Sequence, residues 1–84
     1  MFNIYPNITS GEKVIIEFFL SRRIEKAFLE VVNEHGFVLW INAMKELEGY
    51  HRVDWTPPPS FNGVYKVRLR NKHGSLAKKL IVAR

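Results

Sequence analysis

No cysteine occurs in the 84 residues, so disulfide staples and thiolate-based metal sites are excluded. A cysteine-free domain suits either side of a membrane, and the redox compartment stays open. Histidine is nearly as scarce. His35, His51 and His73 are dispersed, and two of them stand beside a glycine in turn-like tetrapeptides. They read as turn residues, because a metal needs several convergent ligands. Long apolar runs are missing too: Val14–Ile16 and Phe18–Leu20 are split by Glu17, far short of the ~20 residues of a membrane helix. The N-terminus lacks a basic stretch followed by an apolar one, so no signal peptide is read. If the domain is exported, the expectation is that it belongs to a longer protein. The chain also lacks a glycine-rich phosphate loop and a serine in a nucleophile-elbow setting, and its acidic residues are scattered. Nothing here assembles a catalytic constellation. The domain is therefore expected to be non-enzymatic, with no cofactor and no metal.

What is present describes an ordinary folding sequence: 46% hydrophobic and 25% charged residues. The length fits one domain, 1–84. So short a chain buries only roughly 60% of its unfolded surface, so its core must be contiguous. Thirteen Lys and Arg against eight Asp and Glu leave a net charge of +5. Such a charge invites a nucleic-acid or acidic-surface reading. The cations are spread along the chain, but Lys66, Arg68 and Arg70 alternate and so share one face of a strand. That face is either plain solvated sheet or an electrostatic docking surface for an acidic partner.

Alternation is clearest in "GVYKVRLRN" (63–71), where Tyr65, Val67 and Leu69 oppose the three cations. "NKHG" (71–74) is a turn, and Ser75–Ala83 follows with Leu76, Leu80 and Val82 at even spacing, which completes a hairpin. "NEHG" (33–36) repeats that turn between "AFLEVV" and "FVLWI", predicting a second hairpin. Val14, Ile16, Phe18 and Leu20 share one face of another strand, and Pro57–Pro59 must be a loop. With Phe2–Tyr5 and His51–Trp55 the count comes to about seven short strands. One region stays ambiguous. Leu20, Ile24, Phe28 and Val31/Val32 fall at helical spacing, and "INAMKELE" (41–48) is made mostly of helix formers. Local pattern alone leaves all-β open against α+β with a helix near 22–34.

Several segments carry a resemblance, in this order: "IYPNITSGE", "LEVVNEHGFVL", "HRVDW", "NGVYKVRL" and "GSLAKKLIVAR". Together they resemble the C-terminal sorting domains of the type IX secretion system of Bacteroidetes, and the related Ig-like domain of flagellar hook-capping proteins. The likeness spans Ile4 to Arg84. Its motifs are an entry turn at Tyr5, Pro6, Asn7, Thr9 and Gly11, a Gly63-Val64-Tyr65 element, and a terminal run of Lys78, Lys79, Leu80, Ile81 and Val82. Ile8 stands where the family has a second proline. Trp55 before the proline loop leans toward the hook-capping version. The resemblance implies an all-β, Ig-like or fibronectin type III-like antiparallel sandwich, and so a strand at Lys26–Asn33. Tyr65, just after a glycine, fits the tyrosine corner of such sandwiches, whose hydroxyl bonds back to the chain.

The function so implied is a non-catalytic sorting module joined to an N-terminal passenger. Outer-membrane secretion machinery would recognise it in the periplasm and deliver the passenger to the cell surface or beyond. The motif residues Tyr5, Pro6, Asn7, Gly11, Gly63, Tyr65 and Lys78–Val82 are the expected recognition positions, with Lys66, Arg68 and Arg70 adding attraction. The alternative is an Ig-like structural spacer or adhesion domain of a surface protein. A third reading, a small basic nucleic-acid binder, rests on charge alone. The terminal strand Ser75–Ala83 is a candidate sheet edge, open to pairing with a second copy.

Overall fold

Two turns built on Asn and Gly organise the chain. Asn33 Oδ1 accepts hydrogen bonds from the backbone N–H groups of His35 and Phe37, both at 2.9 Å, and Gly36 takes the left-handed conformation. At the second turn Asn71 Oδ1 accepts from the His73 N–H at 2.7 Å, with Gly74 at positive φ. The computed structural model describes every residue from Met1 to Arg84. It contains six strands and no helix: β1 (Phe2–Tyr5), β2 (Ile8–Thr9), β3 (Val14–Asn33), β4 (Val38–Trp55), β5 (Gly63–Asn71) and β6 (Gly74–Val82). No helix is long and apolar enough to cross a membrane.

The first turn joins β3 to β4 and the second joins β5 to β6, both as antiparallel hairpins. β3 is the spine. Along one side it carries β4; along the other it carries β1 at Ile15–Phe18 and β5 at Ala27–Asn33. The order β1-β3-β5-β6-β2 makes one hydrogen-bonded sheet, with β4 flanking β3. β1 and β2 lie at opposite ends of that order, yet only Pro6 and Asn7 separate them in the chain. This short N-terminal strap curls the sheet nearly into a barrel. The all-β class expected from the sequence is thus observed, as one curled sheet whose two halves enclose the core.

The strands number six where about seven short ones were expected, because segments that read as separate strands run on. β3 has 20 residues and β4 has 18, against about 5–6 for an average strand. The helix considered near 22–34, and the helix-forming run 41–48, are both strand. The reason lies in the register break between Leu20 and Ile24. Before it, the even positions Val14, Ile16 and Phe18 are buried; beyond it, the odd positions Ala27, Leu29 and Val31 are. An irregularity that flips strand parity mimics a spacing of three to four. Across the bend, β4 accommodates Glu46 and Gly49 at positive φ.

The core is one cluster drawn from both halves: Val14, Ile16 and Phe18, against Leu29, Val31, Val67, Leu69, Leu80 and Val82. Trp40, Trp55, Phe61 and Tyr65 form a chain of rings with successive centroids 4.9–5.7 Å apart. Leu76, expected to join the inward row of β6, is 59% exposed, so the turn end of that hairpin projects beyond the core. Besides the outer sides of β1 and β2, two further edges remain open. β6 is covered by β2 only at Ile81 and Val82, and β4 has no partner on its outer side.

Candidate functional site

The three sequence motifs meet at one end of the molecule. β2 runs parallel to β6, pairing Ile8 with Ile81 and Thr9 with Val82. The Ile81 N–H donates to the Asn7 carbonyl at 2.9 Å, and the Ala83 N–H to the Thr9 carbonyl at 2.8 Å. On the other side of β6, Gly63 pairs with Val82, Val64 with Ile81 and Tyr65 with Leu80. Residues from the beginning, middle and end of the chain thus form three adjacent strands. Leu80, Val82 and Tyr65 are buried, whereas Tyr5, Pro6, Asn7, Ile8, Val64, Lys78 and Lys79 are exposed. The Tyr65 hydroxyl accepts the Asn62 N–H at 2.8 Å, so it does bond back to the chain, three residues upstream.

The entry turn is tied by local polar groups. Thr9, itself buried, donates its hydroxyl to the Glu12 carboxylate at 2.9 Å, and the Gly11 N–H donates to Thr9 Oγ1 at 3.2 Å. The Ser10 hydroxyl and N–H both donate to the same carboxylate. These donors, Ser10 first and Thr9 next, push the Glu12 pKa down to about 2 from an ordinary 4.5. A lowered folded-state value stabilises the fold above the unfolded value, and the effect is lost as pH falls through the folded one. The stability advantage of the wild type over Glu12→Gln is therefore expected to be complete above about pH 5 and to disappear toward about pH 2. Thermal melts of the two proteins across that range check it; a pH-independent difference contradicts it.

Arg84 closes this end. Its Nε donates to the Phe61 carbonyl at 2.6 Å and its Nη2 to the carbonyls of Pro58 (2.6 Å) and Pro57 (3.2 Å). Its guanidinium lies against Gly11, where a β-carbon would collide with it, and Gly11 has φ 117°. The positive φ is what requires glycine there, while a β-carbon would also push the Arg84 guanidinium aside. Sequence reasoning missed the roles of Arg84 and of the proline loop, since an arginine facing backbone carbonyls leaves no sequence pattern.

Lys66, Arg68 and Arg70 do share the outer face of β5. Lys66 lies opposite Lys79, extending the basic face onto β6. Toward the other end, Arg68 and Arg70 converge on Glu30 of β3: Arg68 Nε donates to Oε1 at 2.9 Å, Arg70 Nε to Oε1 at 3.1 Å and Arg70 Nη2 to Oε2 at 3.2 Å. Glu30 is only 2% exposed. The Arg70 hydrogen bonds, followed by those of Arg68, hold its carboxyl below the usual range against the opposing effect of burial. The legible signal was a lone acid within "AFLEVV", on the parity opposite Leu29 and Val31.

A further surface was not singled out from sequence. Phe37, Val38, Leu39 and Ile41, at the start of the open β4 edge, are 45–67% exposed. Its signal is the absence of charge from Phe37 to Met44. No group of three or more His, Asp or Glu side chains is placed to hold a metal. No family model matches this chain, and no curated protein matches it at a significant level.

Proposed function

We propose that the domain is a non-catalytic recognition module that sorts an attached passenger for type IX secretion, on the strength of the motif resemblance. The observation that carries the reading is the meeting of its three motifs beside a free strand edge. The parity of that edge follows from two bonds. Because the N–H groups of Ile81 and Ala83 point to β2, those of Lys79, Ala77 and Ser75 point the same way, where β2 no longer reaches. An extended segment of the secretion machinery adds there as a further strand. The face bearing Lys66 and Lys79 supplies attraction for an acidic partner.

The test is Ala77→Pro on a passenger fusion in a secretion-competent host. Proline at this position removes an open-edge N–H and no ladder bond, so the melting temperature is expected to stay within about 5 °C of wild type. Surface delivery of the passenger is expected to fall at least ~10-fold, in line with the loss of strand addition. Full delivery by this folded variant sinks the sorting assignment. It favours the second reading, an Ig-like spacer, for which the burial of Tyr65, Leu80 and Val82 already supplies a purely structural use of the motifs.

A further inference from the structure

At the opposite end of β5 lies a cleft of about 490 Å³, formed where β3 breaks register and the β5–β6 turn projects. Its size falls in the range of about 300–1,000 Å³ usual for small-molecule sites. Arg23, Lys26 and Phe28 line it from β3; Arg70, Lys72 and His73 line it from β5 and the turn. Glu25 is the one acid among the nine lining residues. Neither Lys26 nor Lys72 forms an ion pair, and the Arg23–Glu46 pair at 3.2 Å is solvent-exposed and easily exchanged.

Arg70 gives the cleft its chemistry. Its guanidinium is held edge-on by two bonds to buried Glu30 and lies 4.6 Å from the Phe28 ring centroid. Of its five N–H donors, two are used, so three face no protein acceptor. Glu30 also serves Arg68, so one negative charge is shared by two guanidinium groups and a net positive charge remains. An arginine already ordered by the protein, with spare forked donors and two unpaired lysines beside it, suits a phosphate better than a carboxylate. The fork matches two phosphoryl oxygens, and a doubly charged group engages more than one cation. The ordering cost of the arginine is met by folding rather than by binding.

We propose that this cleft binds the phosphomonoester or pyrophosphate group of a small molecule, with Arg70 as the fixed donor and Lys26 and Lys72 as flanking charges. The proposal is independent of the sorting role, which uses the open backbone edge of β6 rather than the cleft between β3 and β5.

Titration with inorganic pyrophosphate at low salt, followed by amide chemical shifts, tests it. Saturable shifts confined to residues 23–28 and 70–73 are expected. The double variant K26E/K72E, altered at exposed positions only, is expected to weaken binding at least ~10-fold. Arg70→Lys is expected to weaken it about 5-fold, because a point charge replaces the fork. The control K66E/K79E makes the same change in net charge outside the cleft and should leave affinity within about 2-fold. Equal losses in the two double variants, or shifts spread over every basic face, overturn the site. Binding of free pyrophosphate assigns a soluble ligand. Binding only to phosphatidic acid vesicles, lost in K26E/K72E, assigns the same site to a lipid headgroup. Absence of both overturns the proposal, as does a single-stranded oligonucleotide that binds more tightly along the whole β5–β6 face.

Discussion

Deleting Lys79–Arg84 is expected to leave an unfolded chain. The deletion removes Leu80 and Val82, which are 0% and 1% exposed, from the centre of the core. Truncating one buried leucine to alanine costs about 2–5 kcal/mol, and here two whole buried residues go with their ladder pairing to Tyr65 and Gly63. β2 loses its only partner, and the proline loop loses all three carbonyl bonds from the Arg84 side chain. A domain of this length has a total stability of roughly 4–13 kcal/mol, and losses of this size exceed most of that range. Far-UV circular dichroism and amide dispersion of the truncated protein measure it. A cooperative melt within a few degrees of wild type contradicts the packing described. For the proposed sorting role, a truncated domain that does not fold would not separate loss of recognition from loss of fold, so folded edge variants such as Ala77→Pro are the ones that test it.

The second large effect concerns Glu30. Replacing both Arg68 and Arg70 with methionine leaves a buried carboxylate with no donor, and is expected to cost about 3–5 kcal/mol near neutral pH. For a domain of this size that lowers the melting temperature by roughly 15–30 °C. Glu30→Met removes the charge instead and is expected to cost less than about 1.5 kcal/mol, since both arginines retain access to water. Acid separates the two variants further. In the wild type the lowered Glu30 pKa stabilises the fold above the ordinary 4.5, and that contribution fades as pH falls below it. In the double variant burial acts alone and raises the pKa, so protonation relieves the penalty and the gap to wild type narrows on acidification. Thermal melts at neutral and acid pH read out both; equal losses in the two variants contradict the pairing.

The hairpins were legible in the sequence because their causes are local. An asparagine two residues before a histidine N–H, a glycine able to take positive φ, and strict alternation in "GVYKVRLRN" each act within a few residues. The length of β3 was not legible, because the break between Leu20 and Ile24 transfers the buried set from even to odd positions and imitates a helix over Leu20, Ile24 and Phe28. Edge status was half legible. Ser75–Ala83 was anticipated as an edge, and residues before Ile81 are open, but nothing local marks β4 as lacking an outer neighbour. At the candidate site, the motif residues were named individually, yet their meeting depends on the parallel β2–β6 pair. Tertiary pairing across most of the chain has no periodic signature. The Arg68–Glu30–Arg70 cluster was hidden for a related reason: the three cations were plain, and their shared counter-charge lies on another strand.

The strap that joins β1 to β2 also has a consequence for biosynthesis. Ile8 and Thr9 are made early, but their partners Ile81 and Val82 come at the other end of the chain. The hairpins close locally and can form while the chain is still emerging from the ribosome. The seam cannot. A nascent chain that has completed β3 but not reached Ile81 has β1 docked on β3 and β2 still unpaired. Closing the seam is therefore the last folding step of this domain, since it must wait for Ile81 and Val82.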